Sequence, residues 1–150
     1  MNKSDLKRDL FMLKGALSKK GYDWWWHNFT GYNRETGEAK TFFIEYFVCS
    51  PALGGTQPIL GQLPENLEKH IKPSYALIKV GTWGKNAKQI HNFYPINDFS
   101  SVNDELNVKI GKCTLSETHM KGNCAITDQE KLEHPEYMCD AGEMSWDISI

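Results

Sequence analysis

The residue best suited to chemistry is Glu45, within Phe42-Phe43-Ile44-Glu45-Tyr46-Phe47. Strand alternation sets it between Phe43 and Phe47 on one face. A carboxyl among phenyl rings resists ionisation, because desolvation penalises the charged form. Kept protonated, it is a general acid. A solvent-facing position, or a pair with a cross-strand Lys, is the alternative. The second feature is Tyr22-Asp23-Trp24-Trp25-Trp26-His27. In a strand, Trp24 and Trp26 share one side and Trp25 shares the other with Asp23 and His27. Indoles on both faces suit a sheet with a core on one side and a ligand, lid or domain on the other. A barrel plugged by its own aromatics fits equally. Tyr75 and Lys79 share a face of Ser74–Val80, and His91 lies between Gln89 and Phe93 on its own face. An imidazole exchanges protons near neutral pH, although a lone strand His is also a common structural residue.

Other chemistries find little support. There is no G-x-x-x-x-G-K-S/T loop, no G-x-G-x-x-G after a strand, no G-x-S-x-G and no H-E-x-x-H. No nucleotide or other cofactor is therefore implied. Cys113, His119 and Cys124, with His134 and Cys139, lack the tight Cys-x2-4-Cys knuckles of structural zinc. They read as buried thiols and scattered imidazoles, so no metal site is expected. Cys49 has no partner that spacing can assign.

These groups need strands to hold them. Tyr22–Phe29 and Lys40–Cys49 read as a hairpin around the turn Asn33–Glu38. On the second strand, Phe42, Ile44, Tyr46 and Val48 alternate with Thr41, Phe43, Glu45, Phe47 and Cys49. Further strands are expected at Ser74–Thr82, Lys88–Tyr94, Glu105–Ile110, Lys112–Met120, Gly122–Thr127 and Glu143–Ile150. Trp83-Gly84-Lys85-Asn86 turns between two of them. Ser50–Pro73, with Pro51, Pro58 and Pro64, is long enough to be a lid or binding loop. Leu6, Leu10, Leu13 and Leu17 make a helical stripe, with Ser4 as N-cap and Gly21 as stop. The expectation is a mainly β, antiparallel barrel or sandwich of about eight strands behind one short N-terminal helix. Residues 1–21 form the arm and 22–150 the β domain. The apolar alternation up to Ile150 suggests an edge covered by a second copy or a second barrel.

The 150 residues carry 17 Lys and Arg against 19 Asp and Glu, a net charge of −2. Bulk charge therefore does not point to nucleic acid. The charge is uneven: +3 over residues 1–40 and −6 over residues 101–150. No apolar run approaches the length of a membrane span, and no apolar segment of a secretory signal follows the N-terminal lysines. Four cysteines without such a signal suit reduced thiols in a cytoplasmic protein. Seven Phe, five Trp and six Tyr suit a packed β-fold, an apolar pocket, or both.

Trp24-Trp25-Trp26-His27-Asn28-Phe29, the turn Glu35-Thr36-Gly37-Glu38, Phe42–Phe47, the Pro/Gly-rich excursion and Leu115–Gly122 together resemble the amino-terminal part of bacterial tocopherol cyclase-like proteins. These lie near the carotenoid hydratases of the hydroxyneurosporene synthase type. The resemblance implies a lipocalin-like (calycin-type) barrel, or half of a two-barrel protein. It also implies an isomerase-type (intramolecular lyase) reaction on a lipophilic, prenylated substrate. Proton delivery to a C=C bond would fall to Glu45, with Asp23 as second candidate. Trp24, Trp26, Tyr46, Phe42 and Trp83 would wall the cavity, with aromatic faces attracting the developing cation. His91 or Tyr75 would take the final proton. Two other readings compete: a non-catalytic carrier of an apolar molecule, and an interaction module that docks through its Trp face onto a second barrel or a second copy.

Overall fold

The computed structural model describes residues 7–150. The richest strand pattern becomes a hairpin. β1 (Tyr22–Tyr32) and β2 (Ala39–Cys49) pair antiparallel along their whole length, Tyr22 opposite Cys49 and Tyr32 opposite Ala39. Asn33 closes the connecting turn by accepting the N–H groups of Glu35 and Thr36 at 2.8 and 3.0 Å. β3 (Tyr75–Thr82) and β4 (Gln89–Tyr94) extend this sheet in chain order. The second sheet is also a simple meander: β5 (Phe99–Ser101), β6 (Asn107–Ile110), β7 (Cys113–Ser116), β8 (His119–Ile126) and β9 (Gly142–Ser149).

The inner faces of the two sheets make one core. Ile44, Tyr46 and Val48 of β2, and Ala76, Ile78 and Val80 of β3, are fully buried. They meet Val108, Ile110, Leu115, Met120, Cys124 and Trp146 of the second sheet. Each large aliphatic side chain so buried contributes about 1.5–3 kcal/mol. Polar groups stitch the layers. The Tyr46 hydroxyl donates to the Thr114 carbonyl at 2.7 Å and accepts the Trp146 indole N–H at 3.2 Å. The Asn92 side chain donates to the Ala125 carbonyl at 2.8 Å and accepts the Ala125 N–H at 3.1 Å. It thereby satisfies an edge of β8 as a neighbouring strand would.

The structure departs from the sequence-based expectation in several places. The β class and antiparallel pairing hold, with nine strands among the described residues in place of about eight. No closed barrel forms, because no backbone ladder joins the four-stranded sheet to the five-stranded one. Side chains such as Asn92 make that junction instead. The expected N-terminal helix is absent from the described part of the arm. Lys7–Asp9 and Gly15–Lys19 are separate 3-10 turns, while Ser4 and Leu6 lie outside the described residues. Gly15 takes φ +57° inside the proposed stripe. The arm between the turns buries by alternation: Phe11 and Leu13 go inward and Met12 outward. Phe11 packs on both Trp25 and Phe99, so it bridges the two sheets. The expected strand Lys112–Met120 is broken at Glu117-Thr118. The expected break between Met120 and Gly122 is continuous strand. Gly122 is needed there for close packing, since a Cβ would strike the Trp146 ring and approach the Cys113 sulfur to 2.7 Å. The long connection holds one short helix, α1 (Pro64–Glu68). The stretch before the final strand holds a second, α2 (Asp128–Glu133), started by a Thr127–Glu130 capping box. No helix among the described residues is long and apolar enough to cross a membrane.

Replacing Tyr46 with Phe leaves the Trp146 N–H and one Thr114 acceptor unpaired in the core. The expected loss is about 1–3 kcal/mol, seen as a lower urea midpoint with an unchanged slope.

Candidate functional site

Residues of the four-stranded sheet divide by parity. Tyr46 and its alternate neighbours face the core, so Glu45, Phe43 and Phe47 face outward. The antiparallel register places Trp26 and Lys79 on either side of Glu45, and His91 beyond Lys79. One outer surface therefore brings together Trp24, Trp26, Glu45, Tyr75, Lys79 and His91, joined at its end by Trp83.

Two aromatic groups flank the centre. In one, Trp26 stacks on Phe43 with centroids 4.8 Å apart and planes 7° from parallel. Trp83 leans on Phe43 at 5.1 Å, and its indole N–H donates to Asn28 Oδ1 at 3.0 Å. The other is a chain of contacts across the sheet. Trp24 stacks on Tyr22 at 5.4 Å, Tyr22 on Phe47 at 5.9 Å, and Phe47 meets Tyr75 at 5.9 Å. Tyr75 meets Phe93 at 5.0 Å, and Phe93 meets Tyr137 at 5.1 Å. Trp24 is 51% exposed and Trp83 49% exposed, so the surface is open to solvent at its rim.

Between these groups lies a charged pair. Lys79 Nζ is 3.7 Å from Glu45 Oε2 and 5.8 Å from the centre of the Trp26 ring. Glu45 is 9% exposed. Burial pushes its carboxyl above the usual range, and the Lys79 ammonium only partly opposes this. The cross-strand Lys alternative is thus realised together with the aromatic setting. Tyr75 is half-buried, and its phenol is pushed up to about 12, so it stays protonated at neutral pH.

His91 is locked. Its Nδ1–H donates to the Tyr137 carbonyl at 2.8 Å, which leaves Nε2 to accept the Gln89 amide at 2.6 Å. Burial lowers its pKa. With both nitrogens engaged, it pins the Pro135–Tyr137 turn against the sheet.

The remaining expected residues lie elsewhere. Asp23 faces inward and accepts the Met12 N–H at 2.9 Å, tying the arm to β1. Tyr46 is buried between the sheets and does not share a surface with Trp24 and Trp26. Phe42 is on the inner side, stacked on Phe29 at 5.4 Å. Trp24 and Trp26 therefore belong to an outward-facing aromatic surface and not to an interior cavity. Sequence reasoning missed Tyr22, Phe47, Phe93 and Tyr137 as one connected row. Alternation on β1 to β4 carried the signal for the first three, but register was needed to align them.

Among the described residues no three His, Cys, Asp or Glu side chains form a metal cluster. Cys113 and Cys124 are core thiols, whereas His119 is on the far surface, 2.5 Å from Asp147. Burial pushes the Cys49 thiol up to about 11, which leaves little thiolate.

Two titrations check these placements. In Lys79→Met, Glu45 should titrate at higher pH than in the parent, as followed by carboxyl carbon-13 shifts, because the opposing ammonium is gone. For His91, the folded imidazole refuses a proton that the unfolded one accepts below 6.5. Stability should therefore fall as pH drops below that value. His91→Asn should flatten that fall in denaturant titrations relative to the parent. No protein-family model matches the chain, and neither a curated protein nor a solved structure does.

Proposed function

We propose that the chain binds a lipophilic, prenylated small molecule against the outer aromatic surface of the four-stranded sheet and protonates its C=C bond from Glu45. The observation that carries this reading is a buried carboxyl of raised pKa among aromatic rings. The reading makes the protein tocopherol cyclase-like and its two sheets a lipocalin-like half-barrel. It also moves the ligand from the barrel interior to the outer face.

The chemistry balances without a cofactor. The Glu45 proton and the alkene π electrons form a new C–H bond, leaving a tertiary carbocation. The Trp26 and Trp24 faces attract that cation, each contributing about 0.5–2 kcal/mol. The substrate phenol oxygen attacks the cation and closes the ring. The phenolic proton is then lost, and the Glu45 carboxylate regains one through solvent. A lipophilic ligand lying over Glu45 excludes water and raises the acid further. Tyr75 stays a neutral hydrogen-bond donor for a substrate oxygen.

Exposed aromatic surface also suits a protein interface. The open rim at Tyr22, Trp24 and Trp83 favours a docking module as the second reading.

Titration with a prenylated hydroquinone should quench tryptophan fluorescence, and chromatography should reveal an isomeric cyclised product. Trp26→Ala should weaken binding by about 1–3 kcal/mol. Glu45→Gln should keep the quenching and lose the product. Binding without product in the parent would mark a carrier. No binding, together with a concentration-dependent dimer, would establish the docking module and overturn the proposal.

A further inference from the structure

Phe42 does not join the outer surface, but it lines open space on its own side of the sheet. Two pockets meet at it, of about 370 and 430 Å³. Each is of the size that holds small ligands, roughly 300–1,000 Å³. In the larger, Phe42 of β2, Ile90 of β4 and Met144 of β9 supply an apolar wall. Lys40 and Lys88 stand at the same pocket, and Lys40 also borders the smaller one. Both lysines are exposed, and among the described residues neither has a carboxylate within ion-pairing distance. The acids at these pockets are Glu143, which accepts the Asn123 amide at 2.9 Å, and Glu38 in the smaller one, and neither pairs with Lys40 or Lys88. An apolar wall beside two ammonium groups with no ion-pair partner suits an anionic head on a hydrocarbon chain.

We propose that this groove binds an anionic amphiphile. Its chain lies on Phe42, Ile90 and Met144, and its carboxylate or phosphate head meets Lys40 and Lys88. The site is independent of the Glu45 surface, since Phe42 and Glu45 have opposite parity on β2.

Calorimetric titration with dodecanoate, dodecyl phosphate and dodecanol tests it. At least one anionic chain should bind, and dodecanol should bind at least tenfold more weakly. The tighter of the two anions identifies the head as carboxylate or phosphate. The Lys40→Ala/Lys88→Ala double variant should lose roughly tenfold in affinity for the anion and little for dodecanol. Added salt should weaken anion binding. Phe42→Ala should weaken every chain. Both lysines are exposed, so the double variant retains the core. Glu45→Gln should leave these affinities unchanged, which separates failure here from failure at the outer surface. Equal affinity for dodecanol and the anions, an unaffected double variant, or no binding of either anion would overturn the proposal.

Discussion

The hydroxyl of Tyr46 governs how the two sheets meet. It is a polar group at the centre of an apolar core, and burial there is costly unless it is bonded. It bonds to β7 through Thr114 and to β9 through Trp146. Both partners lie in the other sheet, so one side chain locks the distance and alignment of the layers. It also sets the parity of β2. With Tyr46 inward, Glu45 must face outward, and so must Trp26 and Lys79 opposite it. A register slip of one residue would bury the ion pair and expose Ile44, Tyr46 and Val48. The cost of unpaired charge and lost apolar burial forbids it.

With Tyr46 and its neighbours packed between the sheets, Glu45, Trp24 and Trp26 are left to the outer surface. The outer face of the four-stranded sheet is unusual because its polar centre is nearly covered while its aromatic rim is open. Glu45 and Lys79 attract each other in a setting of lowered dielectric, yet desolvation still lifts the carboxyl. Displacing water from the pair would lift the carboxyl further. The opposite side of the same sheet ends in a groove of different character, apolar at Phe42 and bordered by Lys40, Lys88 and Glu143. One hairpin thus presents two chemically distinct surfaces, because successive side chains of a strand point to opposite sides.

The arm shows how tertiary packing overrides local pattern. Its leucine spacing suits a helix, but a helix would not put Phe11 and Leu13 on one side with Met12 on the other. The gap between Trp25 and Phe99 takes an extended segment, held by Asp23 to the Met12 N–H and by the Trp25 indole N–H to the Asp9 carbonyl. The candidate acid Asp23 becomes an anchor for this reason.

Much of the β structure was legible in the chain. Alternation located the hairpin, the Asn33–Glu38 turn, the strands at Ser74–Thr82 and Lys88–Tyr94 and the final strand, because side-chain direction along a strand has a period of two. The same alternation put Glu45 with Phe43 and Phe47, and Trp24 with Trp26. What alternation could not say was which of the two faces met the core, since aromatic bulk was present on both. Nor could it show that Lys79 and His91 lie beside Glu45, because register between distant strands comes from pairing and not from spacing. The strands divided into two sheets, and Tyr46 went inward while Trp24 and Trp26 stayed outside, through contacts made only between strands far apart in sequence. Local pattern determined the strands and which residues share a side; three-dimensional packing alone decided which side became a surface, because burial is a property of the whole assembly.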